Sequence, residues 1–120
     1  MATISIEHLD DITVFSVSGQ LCFDEFVDAI KNKYHTVTTH IIWDFTNGNL
    51  EGINQDTFRT VLSVAKECRP FNGKGKTAYV STDDRNFWMT CLFAITANTS
   101  MPYPYQVFRT IDEAIKWMNS

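Results

Sequence analysis

The run His40-Ile41-Ile42-Trp43-Asp44-Phe45-Thr46 constrains the fold more than any other part of the sequence. A strand with one wet face alternates apolar and polar residues, whereas a near-continuous apolar run belongs to a strand covered on both faces. Such strands occur in parallel sheets with helices packed above and below, so the flanking segments must supply those helices. They do. Phe23, Phe26, Val27, Ile30 and Tyr34 recur at helical spacing, with Asp24 and Glu25 at the positive end and Lys31 and Lys33 at the negative end. Downstream, Asn54 is a good N-cap for a second helix carrying Phe58, Val61, Leu62 and Ala65 on one face, and Arg69-Pro70 stops it.

The remaining segments complete the order. Ile4 and Ile6, then Ile12 and Val14, alternate with polar residues on either side of Leu9-Asp10-Asp11, which predicts an antiparallel hairpin over 3–18 ended by Gly19. Asn47-Gly48-Asn49 is expected to break the central strand. Residues 71–75 read as a loop, 76–81 as a short strand, and Thr82 or Asp83 as the cap of a third helix running to about Ala97. Residues 98–104, with two prolines, form a connection, and Tyr105–Arg109 makes the last strand. Thr110-Ile111-Asp112-Glu113 is a capping box opening a terminal helix with Ile111, Ala114, Ile115 and Met118 inward. The prediction is one α/β domain over 1–120: a mixed, mostly parallel sheet of about five strands, with an N-terminal antiparallel hairpin and four helices.

Charge narrows the partners. Lys plus Arg number 10 and Asp plus Glu 14, and a net charge of −4 argues against a general nucleic-acid or acidic-membrane binder. The longest apolar stretch, around Cys91-Leu92-Phe93-Ala94-Ile95, falls far short of the roughly 20 residues that span a bilayer, so no membrane insertion is expected. The first residues lack the basic start and apolar run of a secretion signal. Cys22, Cys68 and Cys91 are odd in number and widely spaced, which supports neither a disulfide framework nor a zinc ribbon. A cytoplasmic protein without cofactors is expected. His8, His35 and His40 show no metal-ligand spacing, and His35 and His40 are expected at the surface. No nucleophile–base set or carboxylate pair can be placed, so no enzymatic activity is expected.

Gly19-Gln20-Leu21 closing the hairpin, the helix Phe23–Tyr34, the strand Ile41–Phe45, Gly75–Val80, Val107–Thr110 and Glu113–Trp117 follow one another in a fixed order and spacing. In that order and spacing they resemble STAS domains of the SpoIIAA-like, anti-sigma-factor-antagonist-like branch. The similarity spans nearly the whole chain. It implies a regulatory module that binds a kinase or anti-sigma factor and is switched by phosphorylation of a serine at a helix start. At the corresponding distance beyond Asp44 stand Gly52, Ile53, Asn54 and Gln55, with neither Ser nor Thr, so the usual phosphoserine switch is not expected. Thr46 and Thr57 are the neighbouring hydroxyls that could be modified.

Two candidate sites follow. Phe87, Trp88, Met89 and Cys91 through Ile95 cover almost the whole circumference of the third helix, although a surface helix needs only one apolar stripe. Either that helix is wedged between the sheet and Tyr103 and Tyr105, or it offers a docking face with Trp88, Met89, Leu92 and Phe93 as anchors. The partner would be another protein or a second copy forming a homodimer. Residues 1–60 hold nine acids and three bases, residues 61–120 five acids and seven bases, an opposition that suits docking by complementary charge. The alternative is a small-molecule module, for a lipid or nucleotide. Its cleft would lie at the carboxyl ends of the parallel strands, formed by Asp44, Thr46, Asn47, Ser81 and Thr82. Asp44 would otherwise cap a loop at the strand's end. The glycines of Asn72-Gly73-Lys74-Gly75-Lys76 follow a helix and open a strand, the reverse of a phosphate loop.

Overall fold

The computed structural model describes residues 2–69 and 75–120. In chain order the elements are β1 (Thr3–Leu9), β2 (Ile12–Gln20), α1 (Phe23–Lys33), β3 (His40–Asn49), α2 (Gln55–Cys68), β4 (Thr77–Val80), α3 (Asp84–Ser100), β5 (Tyr105–Phe108) and α4 (Ile111–Met118). The strands lie side by side in sequence order, β1 antiparallel to β2 and the others parallel. With right-handed crossovers, strands added in sequence order place successive connecting helices on the same face. Thus α1, α2 and α3 pack on one side, while α4 alone covers part of the other. The mixed sheet of five strands, the N-terminal hairpin and the four helices are those the sequence predicts.

Alternation along β3 divides the interior. Ile41, Trp43 and Phe45 belong to the core under α1–α3, and Ile42 to the smaller core under α4, with Val14, Ala78, Val80, Ala114 and Met118. Trp43 stacks on Phe15 with ring centroids 4.5 Å apart and 13° between planes, and meets Phe26 at 4.7 Å. Its Nε1 donates to the Tyr34 hydroxyl at 3.0 Å, so the buried indole N–H is satisfied. Burial pushes the Tyr34 hydroxyl well above its ordinary pKa.

The structure corrects four local expectations. Asn47-Gly48-Asn49 does not break β3: the strand runs through it after a bulge, where the register steps from Ser16 opposite Asp44 to Ser18 opposite Asn47. Gly48 serves close packing rather than a turn, because a Cβ there would lie 2.8 Å from the carbonyl oxygens of both Gly19 and Val17. Strand β2 likewise continues past Gly19, and α3 continues past Ala97 to Ser100. His40 is largely enclosed rather than at the surface: its Nδ1 accepts from the Lys76 backbone N–H at 2.9 Å. Apart from Gly75, the loop expected at 71–75 lies outside the described residues.

Candidate functional site

Helix α3 is capped by Asp83, whose carboxylate accepts from the Asn86 backbone N–H at 3.4 Å. From Asn86 onward the helix carries no charged side chain. Its buried residues are Thr90, Phe93, Ala94 and Ala97. Its exposed large apolar residues are Trp88, Leu92 and Ile95, at 68%, 56% and 62% of full exposure. Two helix positions span about 200°, so stripes offset by two residues face opposite ways. That offset separates 88, 92 and 95 from 90, 94 and 97, with Phe93 beside the buried stripe, and explains why the helix is apolar all round: one side builds the core and the other faces outward.

The four expected anchors therefore divide. Trp88 and Leu92 lie on the outward face, and Met89 is half-buried against the main core. Phe93 is 2% exposed and stacked on Phe58 at 4.3 Å, which corrects its assignment as an anchor. Ile95, not singled out from the sequence, completes the outward stripe; its spacing of three from Leu92, after four from Trp88, was the available signal.

Beside this stripe, α3 and β5 border a shallow, open hollow lined by Cys91, Ala94, Ile95, Tyr105 and Val107, with Asn98 at its margin. Strand β5 is an edge of the sheet. The Asn98 side chain caps that edge, its Nδ2 donating to the Tyr105 carbonyl at 2.9 Å and its Oδ1 accepting from the Tyr105 N–H at 2.8 Å. An amide side chain thus takes the place of a neighbouring strand. Burial pushes the Cys91 thiol up, which keeps it protonated at neutral pH and makes it a poor nucleophile. At the start of α3 the Arg109 guanidinium lies 4.1 Å from the centre of the Phe87 ring and pairs with Asp84, while Arg85 meets Glu51 at 3.0 Å.

The five cleft residues are placed differently from expectation. Asp44, Thr46 and Asn47 lie within β3 at its bulge, not beyond its end. The Asp44 carboxylate accepts from the Thr46 N–H at 3.0 Å and from its hydroxyl at 2.6 Å, so it is engaged within its own strand. Ser81 is fully buried, and Thr82 is exposed with its carbonyl accepting from Arg109 at 3.4 Å. None of the five lines the α3–β5 hollow, nor the hollows formed by Ile4, Ile6 and Glu25 or by Arg59, Lys66 and Ser100. Thr57 stands in the first turn of α2, where its hydroxyl donates to the Asn54 carbonyl at 3.1 Å and accepts from the Asn54 N–H at 3.0 Å. Among the described residues no helix is long and apolar enough to cross a membrane.

No family model matches the sequence, and no curated protein matches it. Solved structures do. An anti-sigma factor antagonist from Mycobacterium paratuberculosis superposes with a TM-score of 0.69 at 17% identity, covering 100% of this chain and 96% of that one. A protein of the DUF3478 family from Shewanella loihica, described as having a SpoIIAA-like fold, superposes at 0.58 with 18% identity over 98% of this chain and 93% of its own. The fold is SpoIIAA-like. The anti-sigma factor antagonist SpoIIAA in its unphosphorylated form agrees, at a TM-score of 0.58 and 17% identity, covering 98% of this chain and 99% of that one. The STAS-type resemblance carried by the motif order is thus matched by the SpoIIAA-like architecture from end to end. On that frame, the exposed large apolar side chains among the described residues all lie on the outward stripe of α3.

Proposed function

We propose that this chain is a cytoplasmic, non-enzymatic regulatory module that acts by docking another protein surface on α3. One observation carries the reading: Trp88, Leu92 and Ile95 are each more than half exposed and stand in a single line on one helix. Exposed Trp, Leu and Ile aligned this way are the chemistry of an interface core, each contributing about 1.5–3 kcal/mol when fully covered. The fold supports a regulatory role, since two of its solved examples are anti-sigma factor antagonists.

Of the two hydroxyls considered for a switch, Thr57 is the better placed. A phosphate there would stand in the first turn of α2, where unpaired backbone amides favour negative charge, and would displace the hydrogen bonds to Asn54. The test of the docking reading is a photoreactive amino acid in place of Leu92, activated in cells that make the full chain. We expect a covalent adduct with a protein, lost when Trp88 and Ile95 are both changed to Ser. A probe that captures no protein overturns the reading.

A further inference from the structure

The outward stripe of α3 has the geometry of a helix-packing seam. Trp88, Leu92, Ile95 and Thr99 follow one another at spacings of four, three and four, the pattern by which one helix lies along another. Sheet extension is the other obvious use of this side of the molecule, but Asn98 occupies both backbone groups of Tyr105 at the β5 edge. At Tyr105, then, the strand edge is already occupied, and the apolar stripe of the helix is the larger exposed surface on this side.

Resting on the docking role just proposed, we infer that the occupant is a second copy of this chain, its α3 antiparallel to the first across a two-fold axis near Leu92. In that arrangement Leu92 meets Leu92, and Trp88 of each copy reaches Ile95 of the other. Ile95 also borders the shallow α3–β5 depression, so an exposed indole and a concave strip lie on one surface. A projection and a concavity on the same patch suit the self-complementarity that a two-fold interface requires.

Charge points the same way. The chain carries a net −4, so two copies repel along most approaches, yet no charged residue occurs between Asn86 and Phe108. At the start of α3 Arg85 is paired with Glu51 and Asp84 with Arg109, and the charges left without such a partner at its two ends are opposed in sign. Asp83 stands at its start, Lys66 borders Ser100 at its finish, and neither has an ion-pair partner among the described residues. An antiparallel pair brings each Asp83 towards the other copy's Lys66 and sets the two helix dipoles in opposition.

The experiment uses the full chain. Sedimentation equilibrium over a wide concentration range should show a monomer–dimer equilibrium, and Leu92→Glu should raise its dissociation constant about tenfold or more by placing like charges at the axis. Far-UV circular dichroism should be unchanged by that substitution. Orientation is read in a background of Cys22→Ser, Cys68→Ser and Cys91→Ser, oxidised with diamide. Leu92→Cys should cross-link to itself, Trp88→Cys should not, and Trp88→Cys mixed with Ile95→Cys should. Self-linking of Trp88→Cys overturns the antiparallel arrangement, and a dimer indifferent to Leu92→Glu overturns this interface. A monomer at every concentration overturns the second copy as occupant. If the Leu92 photoprobe then captures a different protein, the docking role stands without this inference; if it captures nothing, both fall.

Discussion

His40 is where solution pH reaches the sheet. Its Nδ1 accepts the Lys76 backbone N–H, a role open only to the neutral ring. Burial holds its pKa below the ordinary 6.5, Lys76 and Arg69 push the same way, and Asp11, 3.6 Å from Nε2, opposes them. The unfolded chain therefore takes up this proton first, and the stability due to the neutral ring is lost as pH falls from about 6.5 through the lower folded value. Urea midpoints measured down this range should fall for the native chain and stay flatter for His40→Gln. Glu25 acts in a separate, more acidic window. The Ala2 N–H at 3.0 Å and the Cys22 N–H at 3.1 Å hold its carboxyl down to about 2, so its contribution is present above 4.5 and lost towards 2. Glu25→Gln should reduce the slope of stability against pH in that window and leave the His40 window unchanged. Arg69 is buried, bonded to the Thr39 and Lys76 carbonyls and the Thr77 hydroxyl, and stacked 4.1 Å from the centre of the Tyr103 ring. Arg69→Met would leave the Thr39 carbonyl and the Thr77 hydroxyl without this donor, while the Lys76 carbonyl keeps the Ile41 N–H, and we expect a loss of about 1–3 kcal/mol by urea denaturation. Glu25 was legible as a charge at the positive end of α1, but the roles of His40 and Arg69 were not. His40 meets a backbone amide 36 residues away and Arg69 a carbonyl 30 residues away, and no local pattern marks either.

At the scale of elements, α3 gives the sharpest contrast in expected cost. Trp88→Ser lies on the outward stripe, and in the isolated chain should change stability by no more than about 0.5 kcal/mol. Phe93→Ala removes the ring stacked on Phe58 and should cost about 3–5 kcal/mol. Equal costs by thermal or urea unfolding would mean that the two stripes are not distinct. The sequence showed that α3 holds more apolar surface than one stripe needs. It did not sort Trp88 from Phe93, because apolar count carries no direction; the phase of the four–three spacing does. Helix starts were legible because Asn54, Asp83 and Thr110 are capping residues whose side chains accept a backbone N–H three residues on. The length of β3 was not, since Asn-Gly-Asn has turn chemistry. What keeps it extended is its parallel pairing with Ser18, Gly19 and Gln20 of β2, which approaches so closely that only glycine fits at 48, a contact between chain segments far apart in sequence.

The molecule as a whole has two cores of unequal size back to back across one sheet. The larger lies under three helices, and the smaller is closed by α4 through Ala114 and Met118. Sequence order dictated this asymmetry: three crossovers between neighbouring parallel strands go to one face, which leaves only the terminal helix for the other. The two cores share β3, with Ile42 on one side and Ile41 and Trp43 on the other, so the sheet cannot lose one cover without exposing a strand that the other core needs. Lys76 ties the same region together, its Nζ donating to the Trp117 carbonyl at 2.7 Å at the end of α4 while its backbone N–H serves His40. We therefore expect one cooperative unit despite the uneven cover. Met118→Ala opens a cavity in the smaller core and should cost about 2–5 kcal/mol. By native-state hydrogen exchange, the loss of protection should appear by the same factor at the Trp43 amide in β3 as at the amide of residue 118 in α4. A loss confined to α4 would instead make that helix a separately opening flap, and the shared strand would not couple the two faces.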